Sequence, residues 1–229
     1  MGTVRILAVP LAALLAAASL SCAAEPFAVR LGSERIALDT PPGFSDTTDL
    51  GSPRLQDLAA SLTSASNRIL LFALTDGDMR NFTNGDKIDL KRYLIAVTPK
   101  GMENDRVSAS SFATLVSDSL HGLGKPAGTA DVVKFLQARP IGEAELLAEL
   151  KRQPDLVSVL QGMRLPPLPG ATMWEKETPQ YLVFTTTLLL LRGKALRLQV
   201  YALLESKGDI GWLEQTTQRW LDELARLNR

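Results

Sequence analysis

The chain holds one cysteine, Cys22, and one histidine, His121, in 229 residues. One of each cannot assemble a His/Cys metal cluster. With no second cysteine the mature domain has no internal disulfide and must rest on its hydrophobic core. An excess of one charge is also missing. Lys plus Arg and Asp plus Glu each number 25, so no net field directs the chain to nucleic acid or to an anionic membrane. No run of like charges makes a patch in the sequence. Aromatics are 6% of the residues and are not interleaved with basic ones, which removes the stacking platform of a single-strand binder. There is no Gly-x-Ser-x-Gly turn, and Gly122-Leu123-Gly124-Lys125 lacks the spacing of a phosphate loop. A Ser/His/Asp set would have to use His121, which sits at a helix end where histidine simply favours the dipole. The carboxylates fall mostly on helix faces and turns, so no pair is set across a cleft for hydrolysis.

What is present starts with an export signal. Arg5 is a positive start, residues 6–18 are an apolar stretch broken only by Pro10, and residues 19–24 are mostly small. That layout is a secretory signal, too short for a comfortable membrane span. Cleavage after Ala23 or after Ala24 places small residues at the two positions the peptidase reads. Removing residues 1–24 takes away Arg5 and no acidic residue, leaving the mature chain one unit negative. The expected location is periplasmic or secreted. Ser19-Leu20-Ser21-Cys22 also resembles a bacterial lipoprotein signal, with Ser19 where a leucine-like residue is wanted. In that alternative Cys22 is lipidated and the protein is a membrane-anchored lipoprotein. Hydrophobic residues at 45% and charged residues at 22% are the balance of a globular protein. About 205 mature residues are enough for one domain with its own core.

Alternation of Phe27, Val29 and Leu31, then of Ile36 and Leu38, around Gly32-Ser33-Glu34 predicts a hairpin. Pro41-Pro42-Gly43 ends it, and Phe44 plugs the edge of the core. Ser52-Pro53 starts a helix that runs to about Ser66. Residues 68–75 and 92–98 read as buried, antiparallel neighbouring strands. Ser108 or Ser110 caps a helix ended by Gly122 and Gly124. Residues 131–136 suit a short helix or a strand. Glu143 to Arg152 reads as an amphipathic helix with Leu146, Leu147 and Leu150 on one side, and residues 156–160 as a further helical turn. Leu165-Pro166-Pro167-Leu168-Pro169-Gly170 is a rigid connector. Residues 181–191 and 195–205 are long strands about the turn Arg192-Gly193-Lys194, and residues 210–227 form a covering helix with Leu213, Trp220, Leu224 and Leu227 inward. The run Leu188-Leu189-Leu190-Leu191 needs both faces covered, or a lipid neighbour.

The most suggestive stretch for function is the polar loop 76–89. Its oxygen-rich start resembles a calcium loop, but Arg80 stands where the fifth-position oxygen belongs and Asn81 replaces the turn glycine. Turn-forming chemistry explains the composition without a metal. Asp76, Asp78, Arg80 and Asp86 are the candidate ligand-binding residues. No catalytic residue, metal or cofactor is assigned.

The element order predicts an α+β fold: an antiparallel sheet of about five or six strands with helices packed on it. Residues 25–229 are read as one domain with a helical insertion around 125–175. An opening hairpin leading into Pro42-Gly43-Phe44, and a long hairpin before the last helix, loosely resemble the layout of Mog1/PsbP/DcrB-like modules. That resemblance implies a small binding or accessory module and carries over no functional residue. The expected function is a non-catalytic exported envelope protein binding an unknown envelope protein or a small ligand, with no nucleic acid. The alternatives are a hydrolase-like enzyme using the 76–89 loop, and a lipid-associated envelope lipoprotein.

Overall fold

The computed structural model describes residues 26–129, 131–167 and 179–229. The signal segment, Cys22 and the second half of the proline connector lie outside the described residues. Strands β1 (Phe27–Leu31) and β2 (Glu34–Leu38) form a separate antiparallel hairpin. Seven further strands make one antiparallel sheet: β3 (Phe44–Asp46), β4 (Asn67–Thr75), β5 (Arg92–Pro99), β6 (Ala144–Gln153), β7 (Leu156–Arg164), β8 (Tyr181–Leu191) and β9 (Lys194–Leu203). Their order across the sheet is β3-β4-β5-β9-β8-β7-β6. The helices are α1 (Pro53–Ser61), α2 (Asp76–Asn84), α3 (Ala109–Leu120), α4 (Val132–Gln137) and α5 (Gly208–Leu227).

Both faces of this sheet are covered. On one, Leu213, Trp220, Leu221 and Leu224 of α5 join Leu71, Leu94, Leu198 and Val200 of the central strands, and the β1–β2 hairpin adds Leu31, Ile36 and Leu38. On the other, α1 packs Leu55 and Ala59 with Phe72, Tyr93 and Ile95. Beside it, α3 packs Phe112 and Val116 with Val157, Val159 and Leu188. The four leucines of β8 are shared between faces: Leu188 and Leu190 join the α3 side, Leu189 and Leu191 the α5 side. Protein therefore covers both faces of that run. Among the described residues no helix is long and apolar enough to cross a membrane.

The end of α5 closes the hairpin. The Trp220 indole N–H donates to the Asp39 carbonyl at 2.8 Å. The Asn228 amide accepts from Ala37 N–H at 2.9 Å and donates to Ala37 C=O at 2.8 Å, so it completes β2 as a strand partner would.

Three expectations are corrected. The antiparallel sheet with helices packed on it has seven strands against the five or six read from the sequence: the β1–β2 hairpin stands apart from it, β3 is added at one edge, and at the other come β6 and β7. These replace the helix expected at Glu143 to Arg152 and the helical turn expected at 156–160; the only helix in the described part of the expected insertion is α4. The β6–β7 register shifts twice, between Leu146 and Ala148 and between Glu149 and Lys151. Each shift adds a residue to β6 and destroys the period-two pattern that marks a strand. The third correction is that the expected polar loop at 76–89 begins as α2.

Gly162 of β7 lies under α4. A Cβ there would stand 2.9 Å from Leu136 Cδ1 and 3.0 Å from Leu147 Cδ1. Gly162→Val should lower stability by about 1–3 kcal/mol, the usual cost of overpacking. Gly162→Ala should cost less, because both leucine ends can turn. Urea unfolding of the two variants checks the ranking.

Candidate functional site

Helix α2 forms despite a composition of Asp, Gly and Asn that suits turns, because both its ends are fixed. The Thr75 hydroxyl accepts from Asp78 N–H at 3.1 Å, a side-chain N-cap. Asp76 and Asp78 fall in the first turn, where negative charge suits the helix dipole. At the other end Gly85 takes a left-handed conformation, φ 83°, and its N–H returns to the helix.

The four candidate residues are distributed by this helix. Asp76 accepts from the Ser45 hydroxyl at 2.7 Å, joining α2 to β3. Asp76 and Arg80 line an open groove of 530 Å³ with Phe44, Ser45, Met79 and Thr83. Asp78 turns to the opposite side, into a cavity of 290 Å³ shared with Asn81, Asp89, Lys91, Arg92 and Glu205. Its carboxylate accepts from Asp89 N–H at 2.8 Å and from the Thr75 hydroxyl at 3.1 Å, so it fastens the loop after α2 to the start of the helix. Asp86 is exposed beyond the C-terminal end of α2 and lines neither space. The structure thus brings Asp76 and Arg80 together and separates Asp78 and Asp86 from them. Asp78→Ala removes one cap contact and leaves the Asp89 amide without its acceptor. It should cost about 1–2 kcal/mol, by analogy with lost helix caps, read as a lower urea midpoint.

Beside the 290 Å³ cavity stands a charge network whose members are far apart in the chain. Lys91 pairs with Glu205 at 2.6 Å. Arg92 pairs with Asp209 at 2.6 Å, and its guanidinium lies over the Trp212 ring, 4.2 Å from the centroid. Asp209 also accepts from Ser206 N–H at 2.7 Å and Glu205 N–H at 3.1 Å. Burial alone would raise the Asp209 carboxyl, but the Arg92 guanidinium, Ser206 and the Glu205 amide together hold it below the usual carboxylate range. The residues meet because β5 pairs with β9, placing Arg92 opposite Ala202 just before the turn into α5. No local signal in the sequence announces this; Asp209 is legible as a cap and nothing more.

Tyr93 and Tyr201 stack with centroids 4.5 Å apart. Burial pushes the Tyr201 hydroxyl up to about 12 and raises Tyr93 as well, so both stay neutral near pH 7. His121 is exposed immediately after α3, remote from α2 in sequence and in element. Among the described residues no group of three or more His, Cys, Asp or Glu could hold a metal ion.

No family model matches the chain, and no curated protein matches it. Among the solved structures similar in layout are two that carry the name Mog1. One is a point mutant of the protein Mog1, the other the Saccharomyces cerevisiae Ran-binding protein Mog1p. Each is 15% identical, with 89% of this chain and 94% of that chain covered, at a TM-score of 0.40. The likeness touches the Mog1 member of the resemblance drawn from the sequence, as a weak and partial match.

Proposed function

We propose that the protein is an exported, non-catalytic binding module of the cell envelope, and that it holds a partner protein through the α2 end of its sheet. The observation that carries the reading is the state of the charged groups there. Asp76 and Asp78 accept hydrogen bonds from their own fold, and Asp209 and Glu205 are ion-paired. A carboxylate so engaged holds structure and is poorly placed to move a proton, which disfavours the hydrolase-like alternative. Arg80, by contrast, is exposed and makes no ion pair with any described residue. It stands beside half-buried Met79 on an open groove. An arginine next to apolar side chains is a common anchor in protein interfaces.

A photo-crosslinking residue placed at Thr83, on the groove rim, should trap one defined envelope protein in the native host. Arg80→Ala should lower that yield by about tenfold, the effect of losing one interface anchor. Equal yield with Arg80→Ala, or no adduct at all, would overturn the docking reading. Export is supported by the composition of residues 1–24. Mass analysis of the purified chain tests it: a free start at residue 24 or 25 means cleavage without lipid, and a start at Cys22 with added acyl mass means the anchored form. An intact residue 1 on the purified chain would rule out both.

A further inference from the structure

The face of the sheet that carries α1 and α3 holds two apolar clusters, and they are separate. Leu55 and Ala59 of α1 belong to one, Phe112 and Val116 of α3 to the other. What divides them is polar. The pairings of β5 with β9, β9 with β8 and β8 with β7 run without a shift, so every second residue of these strands falls on this face. Tyr93, Tyr201, Phe184 and Gln161 form one row across the four strands. Gln199 and Thr186 lie in the next row, and Arg197 in the third. Tyr93, Tyr201 and Gln161 are all more than nine-tenths buried. Yet neither phenol hydroxyl nor the Gln161 amide has a hydrogen-bond partner among the described residues. Buried groups left in that state are few in native proteins, and each needs a reason. Arg197 is half-buried and makes no ion pair or hydrogen bond with any described residue. Burial raises the Tyr201 hydroxyl and the Arg197 guanidinium opposes the rise, so the cation stands within electrostatic reach of the ring stack.

We infer that this strip between α1 and α3 binds a small organic anion, a carboxylate on a flat apolar body. The charge follows from what is gathered there. A guanidinium without a counter-ion and two protonated phenols are all donors, and they call for a negative acceptor. Tyr93 and Tyr201 stack with planes 13° apart, and Phe184 stacks on Tyr201 at 5.1 Å. Rings that face one another leave their edges to a ligand, and the edges carry the positive part of the aromatic quadrupole. The carboxylate accepts from Arg197 and the Tyr201 hydroxyl. The apolar body rests against Phe184 and the half-buried Leu182 and Met163, which continue the same face. Gln161, opposite Phe184, is left to bond a polar substituent. Four strands span about 14 Å, the width of a substituted ring and not of a folded partner. The site is separate from the α2 groove, and neither reading needs the other.

The test uses the whole chain, purified after export, with benzoate as the probe and amide NMR shifts as the readout. Millimolar benzoate should move the amides of Tyr93, Gln161, Phe184 and residues 197–201. Benzamide, the same ring without the charge, should bind about tenfold more weakly or worse. Arg197→Gln should weaken benzoate by about tenfold or more, and Tyr201→Phe, which removes one oxygen, by about threefold to tenfold. The benzamide comparison uses the unaltered chain, so it decides the matter even where a variant fails to fold. Equal binding of benzamide would overturn the anion assignment. No response to benzoate at these residues would overturn the site. Shifts confined to the α2 groove would overturn it too, and would leave the docking surface standing. Inorganic phosphate that moves Arg197 while benzoate moves nothing would mean an adventitious ion only, which also overturns the inference.

Discussion

Replacing Trp220 by alanine should lower the unfolding free energy by about 3–5 kcal/mol, the range for emptying a large aromatic site in a core. Trp220 is 1% exposed and sits among the largest fully buried side chains. It lies where α5, the main sheet and the β1–β2 hairpin meet, so no single element can shift to fill the space. The loss has a polar part too, because the indole N–H is the donor to the buried Asp39 carbonyl. Trp220→Phe separates the two. It keeps much of the volume and strands the carbonyl, for which a cost of about 1–3 kcal/mol is expected. Urea unfolding followed by circular dichroism reads both variants. A Trp220→Ala loss below about 1 kcal/mol would mean that the hairpin relaxes onto α5 without its anchor.

Asp209→Asn should give the second largest loss, with a signature in pH. The carboxylate is buried and pairs with Arg92, while two amides at the start of α5 also depend on it. Removing one partner of a fully buried pair costs about 3–5 kcal/mol. The Arg92 side chain is 40% exposed, so water softens the loss to about 2 kcal/mol near neutral pH. The folded carboxyl titrates below its unfolded value, near 3.9. Its stabilisation is therefore fully present above that value and is lost as pH falls through the folded one. The stability gap between the wild type and Asp209→Asn should be constant at neutral pH and shrink as the pH falls below the unfolded value. A gap independent of pH would show that the pair adds nothing beyond packing. Arg92→Met should reproduce most of the loss while also removing the cation over Trp212.

Much of the fold is legible where one physical signal dominates. The β8–β9 hairpin and α5 follow from period-two and period-3.6 patterns over long stretches, and the β1–β2 hairpin from alternation about Gly32. The β4–β5 pair follows from two short apolar runs across one connection. The misreadings have equally local causes. In β6, adjacent Leu146 and Leu147 are both buried, one toward α3 and the other toward the α5 side. Together with Leu150 they have the i, i+1, i+4 spacing of a helix face, and Ala, Glu and Lys around them are good helix formers. The two register shifts produce that spacing in a strand. In α2 the composition argues for a loop, yet Thr75 followed three residues later by Asp78 is a capping signature. Gly85 then supplies the matching stop. The candidate site was legible only as a place. Asp76 and Arg80 share a groove, but the Arg92–Asp209–Trp212 cluster next to it needs the β5–β9 pairing, which connects residues more than one hundred apart.

The central position of β9 bears on the order of events at synthesis. It lies between β5 and β8, and the residues after it supply the helix that covers one face. A nascent chain that has not yet reached Lys194 leaves the inner edge of β5 bare, and Ala37 waits for Asn228, separated from it by 191 residues. Contacts of that range form late and slowly. The first half of the molecule therefore cannot reach its final state before the last segment exists.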